Sequence, residues 1–341
     1  LFGDGWCVKK VLCNRNDTPP AVKARIKAIY DAAPTEVSMV FLLGHVPVPY
    51  SGNMAPDGHT PDHQGAWPAD VYYAEMDSLW TDATVNNAGA ARVNNQNIPG
   101  DGKFDQNQLP GITSLFIGRV DLSNYTAFGG AMTETELLRR YLNKDHNWRH
   151  KIVTVPRRGI VDDNLGYFGG EMFASSGWRN FGSLVGEANV AAGDIFPTAA
   201  QNDYLLAYGC RFGSYTSASN VGTTNDYAAQ GTRAVFNMLF GSYFGDWDSQ
   251  NNFLRAPLAA DGLGLTSCWA GRPFWVFHHM GMGDPIGEDA WWTQNAPNGL
   301  YPLSFPQFTH IALMGDPTLR LHPVTPPSNL TAAIQNFNEV K

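Results

Sequence analysis

The sequence predicts a doubly wound, mostly parallel α/β sheet with long loop insertions. Three observations carry this. Short apolar runs, such as Val37–Leu43, closed by Gly44, and Ser114–Val120, alternate with stretches of helical periodicity. A run apolar at every position suits a strand buried on both faces, and alternation with helices is the habit of parallel sheets. The third observation is a segment from about 45 to 112 rich in Gly, Pro, Asn, Asp and His, too long for an idle connection.

The elements follow in order. Trp6–Leu12 is expected as a strand. Thr18-Pro19-Pro20 opens a helix with Pro in its first turn, where the missing N–H costs nothing. Val22, Ile26, Ile29 and Tyr30 give it one buried face, and Pro34 ends it. Val37–Leu43 completes a βαβ unit. Asp70–Tyr73 is a short strand-like run inside the long insertion. Thr133 caps a helix to Asn143, and Glu136, three residues on, completes a capping box. Further strands are expected at Ile152–Val155, Asp203–Phe212, Thr232–Phe240, Leu263–Cys268 and Ile311–Met314, with a helix-like stretch at Phe253–Ala260. In such a fold the working groups sit on loops at the carboxyl ends of strands.

Composition narrows the function. The 341 residues include 16% charged residues, 35 Gly, 22 Pro and 10 Trp, which excludes a disordered chain. A formal charge of −8 opposes nucleic-acid binding. No run of 18 apolar residues is present, so no helical membrane span is expected. A charge-poor, Trp- and Asn-rich chain reads as secreted or cell-surface. The four cysteines, Cys7, Cys13, Cys210 and Cys268, form no CxxC and no zinc spacing. The chain opens at Leu1 and is expected to be a piece of a longer precursor. Pro326-Pro327-Ser328-Asn329-Leu330-Thr331-Ala332 resembles the start of a fibronectin type III-like β-sandwich. This divides the chain into an α/β unit at 1–322 and a linker with a truncated domain start at 323–341.

Three stretches resemble the gingipain-type cysteine peptidases, whose catalytic domain is caspase-like. They are Val40-Phe41-Leu42-Leu43-Gly44-His45-Val46-Pro47 with Ala69-Asp70-Val71-Tyr72-Tyr73, then Leu115-Phe116-Ile117-Gly118-Arg119-Val120, then Leu313-Met314-Gly315-Asp316-Pro317-Thr318-Leu319. The resemblance covers most of 6–322 and implies a Cys–His dyad on the turns after two neighbouring strands. Here the first turn reads Tyr208-Gly209-Cys210-Arg211-Phe212-Gly213, with Arg211 or Cys210 nearest the place of the His. The second reads Phe240-Gly241-Ser242-Tyr243-Phe244-Gly245-Asp246, with Ser242 in the place of the Cys. An alternative register puts Cys268 at the nucleophile position.

Both dyad positions are therefore changed. Ser is a weak nucleophile without an adjacent base, and Arg stays protonated. The expectation is a degenerate, non-proteolytic relative that acts as a structural, adhesive or ligand-binding module. It would work with other domains of its precursor, by self-assembly, or with a surface partner. The alternative is a peptidase or acyl hydrolase with Ser242 as nucleophile and a relocated base, for which His278 and His279 are the best suppliers. Cys210 as a migrated nucleophile is a further option.

Three other patterns complete the reading. His59-Thr60-Pro61-Asp62-His63 sets two imidazoles four apart beside Asp57 and Asp62, but Pro61 and Gly58 oppose the helix that would join them on one metal; loop-ordering hydrogen bonds are the plainer role. Asn97, Asp101, Lys103 and Asp105 fall at alternate places around a Gly turn, a pattern similar to a calcium loop but lacking its bidentate Glu. Trp247, Trp269, Trp275, Trp291 and Trp292 serve either core packing or an aromatic cleft for a peptide or glycan.

Overall fold

In a computed structural model the chain is described over residues 1–129, 132–196, 201–271, 275–296, 307–323, 334–336 and 339–340. Numbering only the strands of the main sheet, these are β1 (Met39–Leu43), β2 (Phe116–Val120), β3 (Gly159–Asp163), β4 (Val190–Ala192), β5 (Tyr204–Cys210), β6 (Ala234–Phe240), β7 (Thr266–Trp269) and β8 (Ala312–Gly315). They form one eight-stranded sheet in the order β1-β2-β8-β7-β6-β5-β3-β4. The ladders β1–β2, β7–β6, β6–β5, β5–β3 and β3–β4 are parallel, while β7–β8 is antiparallel. Strand β8 meets β2 through one position, Met314 opposite Arg119. The predicted α/β class is thus observed, a mixed sheet of mostly parallel strands.

The sheet is flanked by α1 (Pro19–Ala32), α2 (Glu134–Arg149), α3 (Ser175–Val185), α4 (Thr224–Gln230), α5 (Ala256–Ala259) and α6 (Ile286–Asn295). Strand β5 is buried at every residue and β6 at all but its last, as continuous apolar runs require. The capping box on α2 is present in both directions: Glu136 N–H reaches Thr133 Oγ1 at 3.3 Å, and Thr133 N–H reaches the Glu136 carboxylate at 2.6 Å. Among the described residues no helix is long and apolar enough to cross a membrane.

Several elements differ from expectation. Trp6–Leu12 is not a strand; Val11 and Leu12 stay exposed, so pairing it would bury little, and the expected βαβ unit reduces to α1 leading into β1. Asp70–Tyr73 is a fully buried 3-10 turn, because Asp70 is drawn to Arg119. Ile152–Val155 has no strand pairing and Ile152 is exposed; β3 begins at Gly159, beyond Pro156. Helix α2 runs on to Arg149, where its guanidinium binds Asp145 and Asp316 at 2.9 Å each. Of the linker and domain start expected at 323–341, residues 324–333, 337–338 and 341 lie outside the described residues, and Ile334–Asn336 pairs antiparallel with Glu339–Val340.

Candidate active site

Two glycine contacts shape the turn after β6. Segments 211–213 and 240–242 run side by side beyond the β5–β6 ladder, with Arg211 N–H donating to Phe240 O at 3.2 Å. A Cβ on Gly213 would lie 2.4 Å from Ser242 O, so only glycine admits this approach. A Cβ on Gly245 would lie 2.2 Å from the Trp269 ring and 2.6 Å from that of Trp67. Between these points Tyr243 adopts φ +68°, a left-handed conformation uncommon for an aromatic residue. The turn leaves Ser242 half-buried and sends Asp246 into full burial.

The long insertion supplies the other half. His59 Nε2 lies 2.8 Å from Ser242 Oγ. With the imidazole proton on Nδ1, the Ser242 hydroxyl donates to Nε2. Asp57 ties the two segments together: its carboxylate accepts from His59 N–H at 3.3 Å, from Tyr243 N–H at 3.2 Å, and from His63 Nδ1 at 2.6 Å. His63 spends its other nitrogen on Asp246, at 2.9 Å. Tyr243 stacks against both imidazoles, with ring centroids 5.1 Å from His59 and 4.4 Å from His63.

His63 is buried between two carboxylates. Burial alone would lower its pKa. The hydrogen bonds and charges of Asp246 and Asp57 overcome that and raise it to about 9. At neutral pH it is an imidazolium that neutralises part of the buried charge. Asp246 also accepts from Asn95 at 2.8 Å and faces Arg92 at 3.1 Å. Arg92 reaches Asp248 at 2.9 Å, which in turn accepts from Tyr50 at 2.5 Å.

A second lock sits beneath. Arg119 of β2 is fully buried; it binds both Asp70 oxygens at 2.8 and 2.7 Å and Val46 O at 2.6 Å, and lies 4.8 Å over the Trp247 ring. Two of the quoted sequence motifs, the Gly118-Arg119 pair and Asp70, thus meet in space and fix the insertion against the turn after β6.

The remaining candidates fall elsewhere. His278 and His279, expected as bases, lie on the 3-10 turn His278–Met282, where His279 stacks on Trp292 at 4.8 Å and donates its backbone N–H to Asp289 at 3.1 Å; the imidazole beside Ser242 is that of His59. Arg211 is held by the Asn164 carbonyl and covers the Phe212 ring at 4.7 Å. Cys210 and Cys268 are free, buried thiols; burial pushes Cys210 up to about 12 and Cys268 well above its ordinary value, so neither is a thiolate at neutral pH. His59 and His63 face different partners rather than one metal.

In the calcium-like loop, Asp101 accepts from Ile98 and Lys103 N–H, while Asp105 accepts from Ala83, Thr84 and Val85 N–H. Lys103 Nζ caps Gln96 O, and the buried Asn97 amide bonds Gly52 O and Phe104 O. These groups serve backbone polar atoms. Trp247, Trp269 and Trp275 are core residues with at most 2% exposure. Trp269 stacks on Trp67 at 5.4 Å.

The pairing of His59 with Ser242, and of His63 with Asp246, escaped sequence reasoning. Each spans 183 residues, and no local spacing signals it.

Solved structures share this architecture. The arginine-specific cysteine proteinase gingipain R matches with a TM-score of 0.56 at 11% identity, over 91% of this chain and 70% of that one. The complex of the pro- and mature domains of RgpB from Porphyromonas gingivalis matches with a TM-score of 0.53 at 11% identity, over 91% and 71% of the two chains. No protein-family model and no curated protein matches the sequence. The chain therefore has an α/β fold of the kind carried by gingipain R.

Proposed function

We propose that the chain is an acyl hydrolase, acting on peptide or ester bonds, with Ser242 as nucleophile and His59 as general base. The observation that carries this is the 2.8 Å approach of His59 Nε2 to Ser242 Oγ, on the turn after β6. Ser242 Oγ attacks the scissile carbonyl while His59 Nε2 takes its proton. The imidazolium then protonates the leaving amine or alkoxide as the scissile C–N or C–O bond breaks, which leaves the acyl group esterified to Oγ. Water, deprotonated by His59, cleaves the acyl ester and restores the hydroxyl.

The test is turnover of fluorogenic ester and peptide substrates, with labelling by a serine-directed fluorophosphonate. Wild type is expected to turn over and to carry the label on Ser242. Ser242→Ala should lose both, and His59→Ala should lose about a thousandfold or more in kcat. Equal turnover in wild type and Ser242→Ala, or no turnover and no label in any form, overturns the reading.

A second reading rests on Arg211, which stands where the resemblance calls for a His and cannot accept a proton. On this reading the chain is a non-proteolytic relative, a structural, adhesive or ligand-binding module beside other domains of its precursor. Its charge-poor composition favours a secreted or cell-surface setting for either reading, where calcium would be available to acidic loops such as 97–105.

A further inference from the structure

Beside the turn that carries Ser242 lies a cluster of exposed large apolar side chains. Tyr167–Phe168 pairs with Glu171–Met172 in a two-stranded hairpin after β3, turned by Gly169 and Gly170 at positive φ. Tyr167 is 72% exposed, Phe168 49%, Met172 53% and Phe212 47%. The Phe168 and Phe212 rings meet edge to face at 5.1 Å, which joins the hairpin to the segment leaving β5. Arg211 lies over the Phe212 ring, 4.7 Å from its centre.

The place of this cluster matters more than its exposure. Phe212 immediately precedes Gly213, whose absent side chain is what lets its backbone pack on Ser242. The apolar surface therefore begins one residue from contact with the nucleophile's own backbone. An extended chain advances about 3.3–3.6 Å per residue, so a peptide with its scissile carbonyl at Ser242 Oγ carries a neighbouring side chain onto this surface within a few residues. Apolar groups gathered in water at a loop tip beside a reacting group mark a binding surface.

Building on the hydrolase reading, we infer that the Phe168–Phe212 ring pair forms a subsite for a large apolar side chain, aromatic or branched aliphatic, next to the scissile bond of a peptide substrate; Tyr167 and Met172, opposite one another in the hairpin, lie on its other face. The ring pair offers the edge and face that an aromatic side chain packs against.

The test separates the subsite from catalysis. In the Ser242→Ala background, fluorescein-labelled hexapeptides with Phe, Leu, Lys or Glu at the central position are titrated by fluorescence polarisation. Phe and Leu peptides are expected to bind about tenfold more tightly than the Lys and Glu peptides. Phe168→Ala with Phe212→Ala should erase that preference, while Phe168→Leu should keep it. Both substituted sites are exposed, so folding of the variants is confirmed by unchanged circular dichroism and melting. Equal affinity for all four peptides, or a preference untouched by the double variant, overturns the subsite. Wild-type cleavage of the same peptides is read in parallel: apolar preference in binding without cleavage keeps the subsite and sinks the hydrolase, while cleavage without apolar preference sinks the subsite alone.

Discussion

At the scale of single residues, the site depends on charge more than on shape. His63 replaces water for two buried carboxylates, and its removal leaves Asp57 without a counter-ion and Asp246 with Arg92 alone. Breaking a buried pair from one side costs more than the pair contributes, because a desolvated charge is left behind. His63→Gln is expected to destabilise by about 3 kcal/mol, read as a drop in urea midpoint. Its pH dependence has a definite sign. The folded pKa is raised from an ordinary 6.5 to about 9, so the stabilisation is fully present below pH 6.5 and is lost as pH rises through 9. The gap in melting temperature between wild type and His63→Gln should therefore be wide at pH 6 and narrow at pH 10. A gap that stays constant would show that His63 is neutral in the folded state.

At the scale of elements, the sequence was legible where local chemistry decides and silent where tertiary contact decides. The capping box at Thr133 and the apolar runs of β2, β5, β6 and β8 depend on neighbouring residues, and they form as read; β1 forms as a strand too, but at the sheet's edge, where it is buried at Leu42 alone and exposes Leu43 instead of being buried on both faces. Thr133→Ala should cost about 1 kcal/mol through the lost cap, measured by thermal melting. Helix α3 was hidden because its Gly and Ser residues weaken the helical pattern; Gly177 is needed where the helix packs on Tyr208, since a Cβ there would lie 2.7 Å from that ring. Ser242 was legible as a position, because the turn after a buried strand is marked by Gly241 and Gly245. Its partner was not, because no sequence distance links residue 59 to residue 242. Gly245 offers the sharper test of this turn. Gly245→Ala drives a methyl into the Trp67–Trp269 stack, and should cost about 1–3 kcal/mol by overpacking. If the hydrolase reading holds, the turn shifts with it and esterase turnover falls at temperatures where the protein is still folded.

At the scale of the whole molecule, the long insertion after β1 holds little regular structure, a strand pair of Tyr50–Met54 with Gly65–Pro68 and short 3-10 turns, yet much of it is core by burial. Trp67, Ala69, Tyr73 and Ala74 are fully buried within it, and Asp70 is held by Arg119 from the sheet beneath. The insertion carries His59, while the sheet carries Ser242, so the distance between them is set by how the two bodies dock. Arg119 is the bolt common to both: it grips Asp70 and Val46 on the insertion side and supports Trp247 on the other. Arg119→Ala strands Asp70 near the core, with an expected loss of about 3–5 kcal/mol. Its distinguishing effect is spatial. If docking is one cooperative event, amide hydrogen exchange should rise together in 45–73 and in 241–248, two segments nearly 200 residues apart in sequence. Helix α2, which packs on another part of the sheet, should keep its protection. Exchange that rises only in 45–73 would mean that the turn after β6 holds its shape alone; the meeting of His59 with Ser242 would then depend on the insertion's own folding rather than on the shared Arg119 lock.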